Sequence, residues 1–255
     1  DVAELAGSVD VLLTSLPHPR PVEAVMREAG ALPALQSGSV WVDLTTNRRE
    51  RVESLAAEAT DGVEVGESPV TGAVDGARTG RLTLFAGGPP SALERVVPIL
   101  GHLGRVIECG GLGTGNVVKL VTNQLWFVHA AAIGEGFALG IANGVELPVL
   151  YDAICDSVGD SFVARHDAPS IFAGHYDPSF TLDLCLKDLG LLGELGAAVG
   201  AELPMTQAAH AVFDDAAERY GRDVGELHVA KRLEDDADLS FRLPGEWVPP
   251  WDVTD

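Results

Sequence analysis

Lys119 and Asn123 stand four residues apart in a segment whose apolar residues keep helical spacing from Asn116 to about Asn143. Side chains four residues apart on a helix point the same way. A lysine held in a semi-apolar cleft can donate a proton to a developing alkoxide, and an amide beside it can orient the same oxygen. The alternative is a lysine at the edge of an apolar helix whose ammonium reaches water, and the residues alone favour that alternative.

Thr71 and Gly72 form a second candidate site. They lie in the run Ser68–Ala77, where a strand ends in a small turn that contains glycine. The backbone N–H groups of such a turn, together with the Thr71 hydroxyl, could bind a carboxylate. An ordinary strand–loop–strand connection fits the same spacing equally well.

A glycine run at 110–115 follows a strand and opens the long helix, which is the context of a phosphate-binding loop. Its spacing does not match, because the third glycine of the dinucleotide pattern, counted from Gly111, falls on Asn116. No Gly-Lys-Ser/Thr follows either, so a tight turn between domains is the favoured interpretation. The 7 histidines and 3 cysteines show no metal-ligand spacing, and no metal site is predicted.

Strands and helices alternate in the first part of the chain. Asn47 is expected to cap one of these helices, with Glu50 three residues later completing a capping box. The alternation is typical of a mostly parallel, doubly wound sheet. The predicted strands are 8–16, 40–44, one starting at 63, 82–86 and 105–109, and the predicted helices are 21–29, one after Asn47, and 91–103.

Beyond Gly115 the pattern predicts only helices, of which the one from Asn116 to about Asn143 is unusually long. Polar, Gly or Pro breaks separate the others. The chain therefore divides into an α/β domain over 1–112, an all-α domain over 113–235 and a surface tail over 236–255. The shorter helices are predicted at 147–156, 182–199, 204–220 and 225–233.

Composition excludes several classes of partner. The chain has 255 residues, 46% of them hydrophobic, which is enough for a packed core. With 17 Lys and Arg against 38 Asp and Glu, the net charge is −21, which argues against nucleic acid and anionic membranes. The most apolar segment, 125–141, is interrupted by His129 and Glu135, so a buried helix is favoured over a membrane span. Three widely spaced cysteines indicate a reducing, cytoplasmic setting.

Five short motifs occur along the chain, and each is weak alone. They are Leu16-Pro17 after a strand, Asp43-Leu44-Thr45-Thr46, Ser68-Pro69-Val70-Thr71-Gly72, the segment from Gly113 to Asn123, and Lys187-Asp188-Leu189. In this order they resemble the β-hydroxyacid dehydrogenase family, typified by 3-hydroxyisobutyrate dehydrogenase and tartronate semialdehyde reductases. The resemblance covers roughly 2–231.

The resemblance implies a Rossmann-type domain and a helical domain joined by the long helix. It implies NAD(P)-dependent interconversion of a small β-hydroxyacid and its semialdehyde. Lys119 is then the catalytic acid and base, and Asn123 lies beside the substrate. Thr71 and Gly72 match the turn that binds the substrate carboxylate. The residues implied to contact NAD or NADP are Leu16, Pro17, Thr46 and Lys187.

Two departures from the family pattern bear on function. Thr71-Gly72-Ala73 stands where the family usually has Ser-Gly-Gly, which keeps the hydroxyl but narrows the substrate pocket. The family's first strand, its glycine-rich dinucleotide loop and its 2′-hydroxyl-reading residue would all precede Asp1. The parallel sheet is therefore expected to be incomplete at its N-terminus, and the choice between NAD and NADP stays open.

Three alternatives remain. Imine reductases share the fold but generally lack the lysine, and 6-phosphogluconate dehydrogenases need a phosphate site that no residues indicate. A non-catalytic, dehydrogenase-like interaction module is the alternative from another class. The joint presence of Lys119, Asn123 and Lys187 argues against it.

The long helix is apolar around most of its circumference, so a single stripe against one partner cannot cover it. A homodimer or homotetramer formed through the helical domain is therefore predicted. Trp247 and Trp251 in the tail are expected to lie against a domain surface or a neighbouring subunit, because such aromatic residues are enriched at interfaces.

Overall fold

The computed structural model describes residues 1–245. The chain divides into two compact units, Asp1–Val121 and Thr122–Asp255. The sequence places the domain boundary at 112/113, before the long helix, whereas the two units meet within that helix. Each unit is described by itself.

The first unit is built on a six-stranded sheet with the order β1-β2-β3-β5-β4, in which β6 pairs with β5. The first three strands are parallel to one another, and β5 is parallel to β6, while β5 is antiparallel to β3 and β4. This confirms the predicted mostly parallel, Rossmann-type sheet. The strands are β1 Val11–Thr14, β2 Val40–Asp43, β3 Glu64–Glu67, β4 Val70–Thr71, β5 Leu82–Gly87 and β6 Gly104–Gly110.

Helices cover both faces of the sheet because alternate residues of the buried strands face opposite ways. On one face of the sheet, Trp41 packs in the same core cluster as Met26 and Leu55. On the other face, Val40 and Val42 pack in a cluster with residues of α6. The helices of this unit are α1 Val2–Ala6, α2 Pro19–Glu23 with a π-helical turn at Ala24–Glu28, α3 Ala31–Ala34, α4 Arg49–Glu58, α5 Ala73–Thr79 and α6 Pro90–Leu100.

Two local expectations in this unit are wrong. The residue before α4 is Arg48, and no side chain caps the helix. The Asn47 amide instead donates to Asp43 Oδ2 and accepts from the Arg48 N–H, so the predicted capping box with Glu50 does not form. The segment after Thr71 is also more than a loop, because α5 begins at Ala73.

The second unit is helical, as predicted, and α11 has the predicted bounds. Its core contains Phe127, Phe213 and Phe137, and Phe127 and Phe213 lie edge to face with ring centroids 5.4 Å apart. The helices are α7 Thr114–Ala142, which begins in the first unit, α8 Leu147–Cys155, a π-helical turn at Val163–Asp167, α9 Ala168–Ala173, α10 Leu182–Val199, α11 Pro204–Tyr220 and α12 His228–Ala237.

The start of the predicted surface tail belongs to this core. Phe241 is fully buried and packs against Phe137, with ring centroids 5.7 Å apart. The Phe241 N–H and the Arg242 guanidinium donate to Glu234 Oε1 at 2.8 and 2.9 Å. The surface-tail expectation is therefore wrong for Phe241, which the core includes. Trp247 and Trp251 lie outside the described residues.

The long helix α7 is only partly covered by this chain. Phe127 and Phe137 are buried, but Leu125 is 55% exposed and Leu139 is 69% exposed. The helix is long and apolar enough to cross a membrane by length and composition, with 28% of its most apolar window buried. Core helices of soluble proteins pass the same test, so the match is weak support for a membrane span.

Candidate active site

The carboxyl ends of β1, β2 and β3 lie side by side, because the three strands are parallel neighbours. Leu16 and Pro17 follow β1, and Thr46 follows β2. The Leu16 N–H donates to Thr45 Oγ1 at 3.0 Å, which ties the two loops together. Leu16 and Thr46 are half-buried and Pro17 is exposed. The structure thus places the three predicted cofactor contacts of this unit on loops at one sheet edge, where α/β sheets bind nucleotides.

Asp43 organises the layer beneath this edge. Its Oδ1 accepts from Thr14 Oγ1 and from the Thr45 N–H, and its Oδ2 accepts from the Asn47 amide at 3.0 Å. Trp41 Nε1 in turn donates to Thr14 Oγ1 at 3.0 Å. Burial raises the pKa of Asp43, and these hydrogen bonds oppose the rise. The edge therefore rests on a satisfied buried network.

The same network reaches the first turn of α7. Asn116 Oδ1 accepts from the Asn47 N–H at 2.7 Å, and the Asn116 amide donates to Glu67 Oε2. Glu67 Oε1 also accepts from the N–H groups of Gly115, at 2.9 Å, and Asn116, at 3.4 Å. Burial raises the pKa of Glu67 to about 7, against the opposing effect of these hydrogen bonds.

Lys119 lies one turn beyond this junction and is only 5% exposed. The alternative of a lysine that reaches water from the helix edge is therefore wrong. Asn123, one further turn along α7, is 2% exposed. Both residues occupy the same side of a continuous helix, as their spacing predicts.

Thr71 and Gly72 end β4 and begin α5. Gly72 has a φ of +119°, a backbone conformation that residues with a Cβ rarely adopt, and a Cβ there would come within 3.3 Å of the Leu82 side chain. Thr71 is half-buried and Gly72 is exposed. The turn is thus open to a ligand, although the strand–loop–strand connection considered for it is interrupted by a helix.

Lys187 and Asp188 lie on α10 in the second unit, which also contains Asn123 on α7. The Asn123 amide donates to Asp188 Oδ2 at 2.7 Å. The Lys187 ammonium lies 3.0 Å from Asp188 Oδ1, close enough for an ion pair but without the angle of a hydrogen bond. Asp188 is 1% exposed, so one buried carboxylate orients two predicted site residues.

Sequence reasoning missed the residues that hold the predicted ones in place. Asp188 was given no role of its own, although the leucines on either side of Lys187-Asp188 were a signal of burial. Glu67 and Asn116 are 48 or more residues from the atoms they bind, and no local pattern connects them.

The edge formed by β1–β3 fits a dinucleotide. Half-buried or exposed side chains line the outside of this edge, and the buried polar groups beneath it are hydrogen-bonded to one another. The glycine run 110–115 is not part of this fit, because the Gly115 N–H is directed at Glu67. Within residues 1–245, His, Cys, Asp and Glu form no group able to hold a metal ion.

Comparison with known proteins agrees with this geometry. A family model for the NAD-binding domain of 6-phosphogluconate dehydrogenase matches residues 1–111, and one described as the NAD-binding of NADP-dependent 3-hydroxyisobutyrate dehydrogenase matches 113–233. An L-threonate dehydrogenase from Cupriavidus necator is 34% identical over 83% of this chain and 72% of its own length. A 2-(hydroxymethyl)glutarate dehydrogenase from Eubacterium barkeri is 32% identical over 83% and 71%.

The chain belongs to the β-hydroxyacid dehydrogenase family. Its fold is also that of a 3-hydroxyisobutyrate dehydrogenase from Mycobacterium tuberculosis solved with L-serine, with a TM-score of 0.84 and 28% identity over 91% of this chain and 81% of that one. An imine reductase from Bacillus cereus, with a TM-score of 0.53 and 16% identity over 92% and 82%, shares the fold alone. This protein is accordingly an NAD(P)-dependent hydroxyacid dehydrogenase.

Proposed function

We propose that this dehydrogenase interconverts a small β-hydroxyacid and its semialdehyde, with Lys119 as the general acid and base. The observation that carries the proposal is the burial of Lys119 one turn before Asn123, whose amide is anchored by Asp188. A lysine that is nearly shielded from water can exchange a proton with a substrate oxygen without competition from solvent.

NAD or NADP, when bound, supplies or accepts the hydride. Lys119 gives its proton to the substrate oxygen in reduction and takes it back in oxidation. One N–H of the Asn123 amide is held by Asp188. The orientation of the amide is thereby fixed, and its other N–H is available to position the same oxygen.

The remaining predicted residues bind the substrate and the cofactor. The Thr71 hydroxyl and the N–H groups around Gly72 bind the substrate carboxylate. Leu16, Pro17 and Thr46 contact the cofactor from the sheet edge, and Lys187 is a further cofactor contact. The relatives are named for threonate, 2-(hydroxymethyl)glutarate, 3-hydroxyisobutyrate and serine, which share a carboxylate and a hydroxyl. These compounds define the first substrate panel.

Assembly and setting are part of the same proposal. The exposed apolar side chains Leu125 and Leu139 on α7 support a homodimer or homotetramer formed through the helical unit. The three widely spaced cysteines support a cytoplasmic enzyme, and the net charge of −21 argues against nucleic-acid or membrane partners. We retain 112/113 as the functional boundary, since the two family models meet there.

The test is the substitution Lys119→Ala. Turnover on the best substrate of the panel should fall by about two orders of magnitude or more, because the general acid is lost. The dissociation constant for NADH or NADPH, measured by fluorescence titration, should change little. Lys231→Ala is the matched control, since Lys231 pairs with Asp235 on an exposed surface. Retention of more than about a tenth of wild-type turnover would refute the assignment.

A further inference from the structure

The first turn of α7 is closed by a carboxylate from another element. A helix leaves its first four N–H groups without intrahelical partners. Here the Thr114 N–H reaches Gly111 O, and the Val117 N–H reaches Gly113 O. The two between them, on Gly115 and Asn116, both donate to Glu67 Oε1 at the end of β3. Glu67 therefore caps α7 from a distance of 48 residues in the chain.

The glycine run is explained by this close approach. A Cβ on Gly115 would lie 2.1 Å from the Phe85 carbonyl oxygen. A Cβ on Gly87 would lie 2.8 Å from Glu67 Oε1 and 2.9 Å from the Gly111 carbonyl oxygen. The run thus lets α7 begin against the sheet. The N–H groups at the start of α7 bind the Glu67 carboxylate, whereas those of a phosphate loop bind the phosphate of a ligand.

We propose that ionised Glu67 is a positioning residue for the reaction, because it holds the first turn of α7 and thereby the Lys119 ammonium one turn further on. The inference rests on the proposed role of Lys119. Asn116 extends it to the cofactor edge, since the Asn116 side chain bonds Glu67 with its amide and the Asn47 N–H with its oxygen.

Ionisation matters because the Glu67 partners given above are all N–H donors. A protonated carboxyl would direct its O–H at one of these donors and lose a hydrogen bond. Burial raises the pKa of Glu67 to about 7, so its charge changes near neutral pH. The charged or titratable groups that interact electrostatically with it are Arg49 on α4 and the Cys109 thiol on β6. Lys119 lies three residues beyond Asn116 on α7.

The test compares Glu67→Gln with the wild type and uses turnover, its pH profile and amide exchange. In Glu67→Gln the new amide nitrogen meets the Asn116 amide, so two donors face each other. We expect turnover at pH 8 to fall about tenfold or more, as for loss of a hydrogen bond to a charged group. The fall in wild-type turnover below about pH 7 should be absent from the variant. Glu64→Gln, on the same strand but half-buried beside Ser91, is the matched control.

A double variant provides the rescue. In Glu67→Gln with Asn116→Asp, the new carboxylate can accept from the Asn47 N–H and from the introduced glutamine amide, which restores the pairing of donors and acceptors. Turnover of the double variant should return to within about threefold of wild type. Asn116→Asp alone should have lower turnover than Glu67→Gln or the double variant, because two carboxylates then lie side by side. A merely structural role would change unfolding without changing the pH profile.

Amide exchange of wild-type protein needs no variant. After correction for the intrinsic rate, protection of the Gly115 and Asn116 N–H groups should fall several-fold between pH 8 and pH 6. Unchanged protection would overturn the proposal even if Glu67→Gln did not fold. The proposal would also be overturned if Glu67→Gln had the turnover and the pH profile of the wild type while Lys119→Ala was inactive. An active Lys119→Ala would refute the proposed function instead.

Discussion

Glu67 makes the stability of the first unit depend on pH in a direction that can be worked out from the fold. Its ordinary pKa is 4.5, and in the folded protein the pKa is raised to about 7. The folded state therefore binds the proton more tightly than the unfolded state does. The difference, 7 − 4.5 = 2.5 units, corresponds to about 3 kcal/mol at about 1.4 kcal/mol per unit.

The sign follows from proton linkage. The contribution of Glu67 to the free energy of unfolding is fully present below pH 4.5, and it is lost as the pH rises from 4.5 to about 7. Glu67→Gln has no such titration. The free energy of unfolding of Glu67→Gln minus that of the wild type should therefore rise by about 3 kcal/mol between pH 4.5 and pH 8.

The assay is urea unfolding at a series of pH values, followed by tryptophan fluorescence. Trp41, which is fully buried in the first unit, reports on the sheet that carries Glu67. Taking the difference between variant and wild type cancels the other titrating groups. Glu64→Gln, the same substitution on the same strand, is the matched control. A difference for Glu67→Gln that varied by less than about 1 kcal/mol over this range would refute the reasoning.

Further predictions concern the second unit and assembly. Asp188→Ala should lower kcat/KM about 10- to 100-fold, since Asn123 loses a charge-assisted hydrogen bond. Asp188→Asn can still accept from Asn123, so it should keep most of kcat. Its cofactor binding, measured by fluorescence titration, should be weaker because Lys187 loses its ion pair. Phe241→Ala should lower the free energy of unfolding by about 3–5 kcal/mol in urea titrations, and a change below about 1 kcal/mol would show that residues 239–242 are outside the core. Light scattering coupled to size-exclusion chromatography should give a dimer or tetramer mass, and a monomer mass at tens of micromolar protein would contradict the assembly.

Ionisation of buried Glu67 is expected to lower stability and to raise turnover, and both effects arise from the same buried carboxylate. Burying an ionised carboxylate costs stability because the interior solvates charge poorly. The same ionised group accepts from two backbone N–H groups and one side-chain amide, which holds the helix that carries Lys119. We therefore expect the contribution of Glu67 to stability to be lost as the pH rises from 4.5 to about 7, and its contribution to turnover to be gained over the same range. Such a trade between stability and a prepared active site is common in enzymes.

Local patterns in the sequence predicted the alternation of strands and helices, the change to helices alone after Gly115 and the order of the family motifs. The helix α11 was predicted with its observed bounds, 204–220, because its ends carry a proline and a glycine and its interior keeps helical spacing. The start of α7 was predicted within two residues, because its apolar residues keep helical spacing and no proline interrupts them. The spacing of Lys119 and Asn123 also sufficed to place both on one side of it. These are properties of neighbours along the chain, so periodicity reveals them.

Tertiary structure alone decided which polar groups are buried together. The Asn47 side chain turned from its expected helix cap to Asp43, because a buried carboxylate needs donors more than an exposed helix end does. Phe241 joined the core although the residues around it read as a tail, since Glu234 anchors its N–H. Glu67 and Asp188 bind partners 48 and 65 residues away. Contacts over such separations leave no periodic trace, so these residues emerge only once the chain is folded.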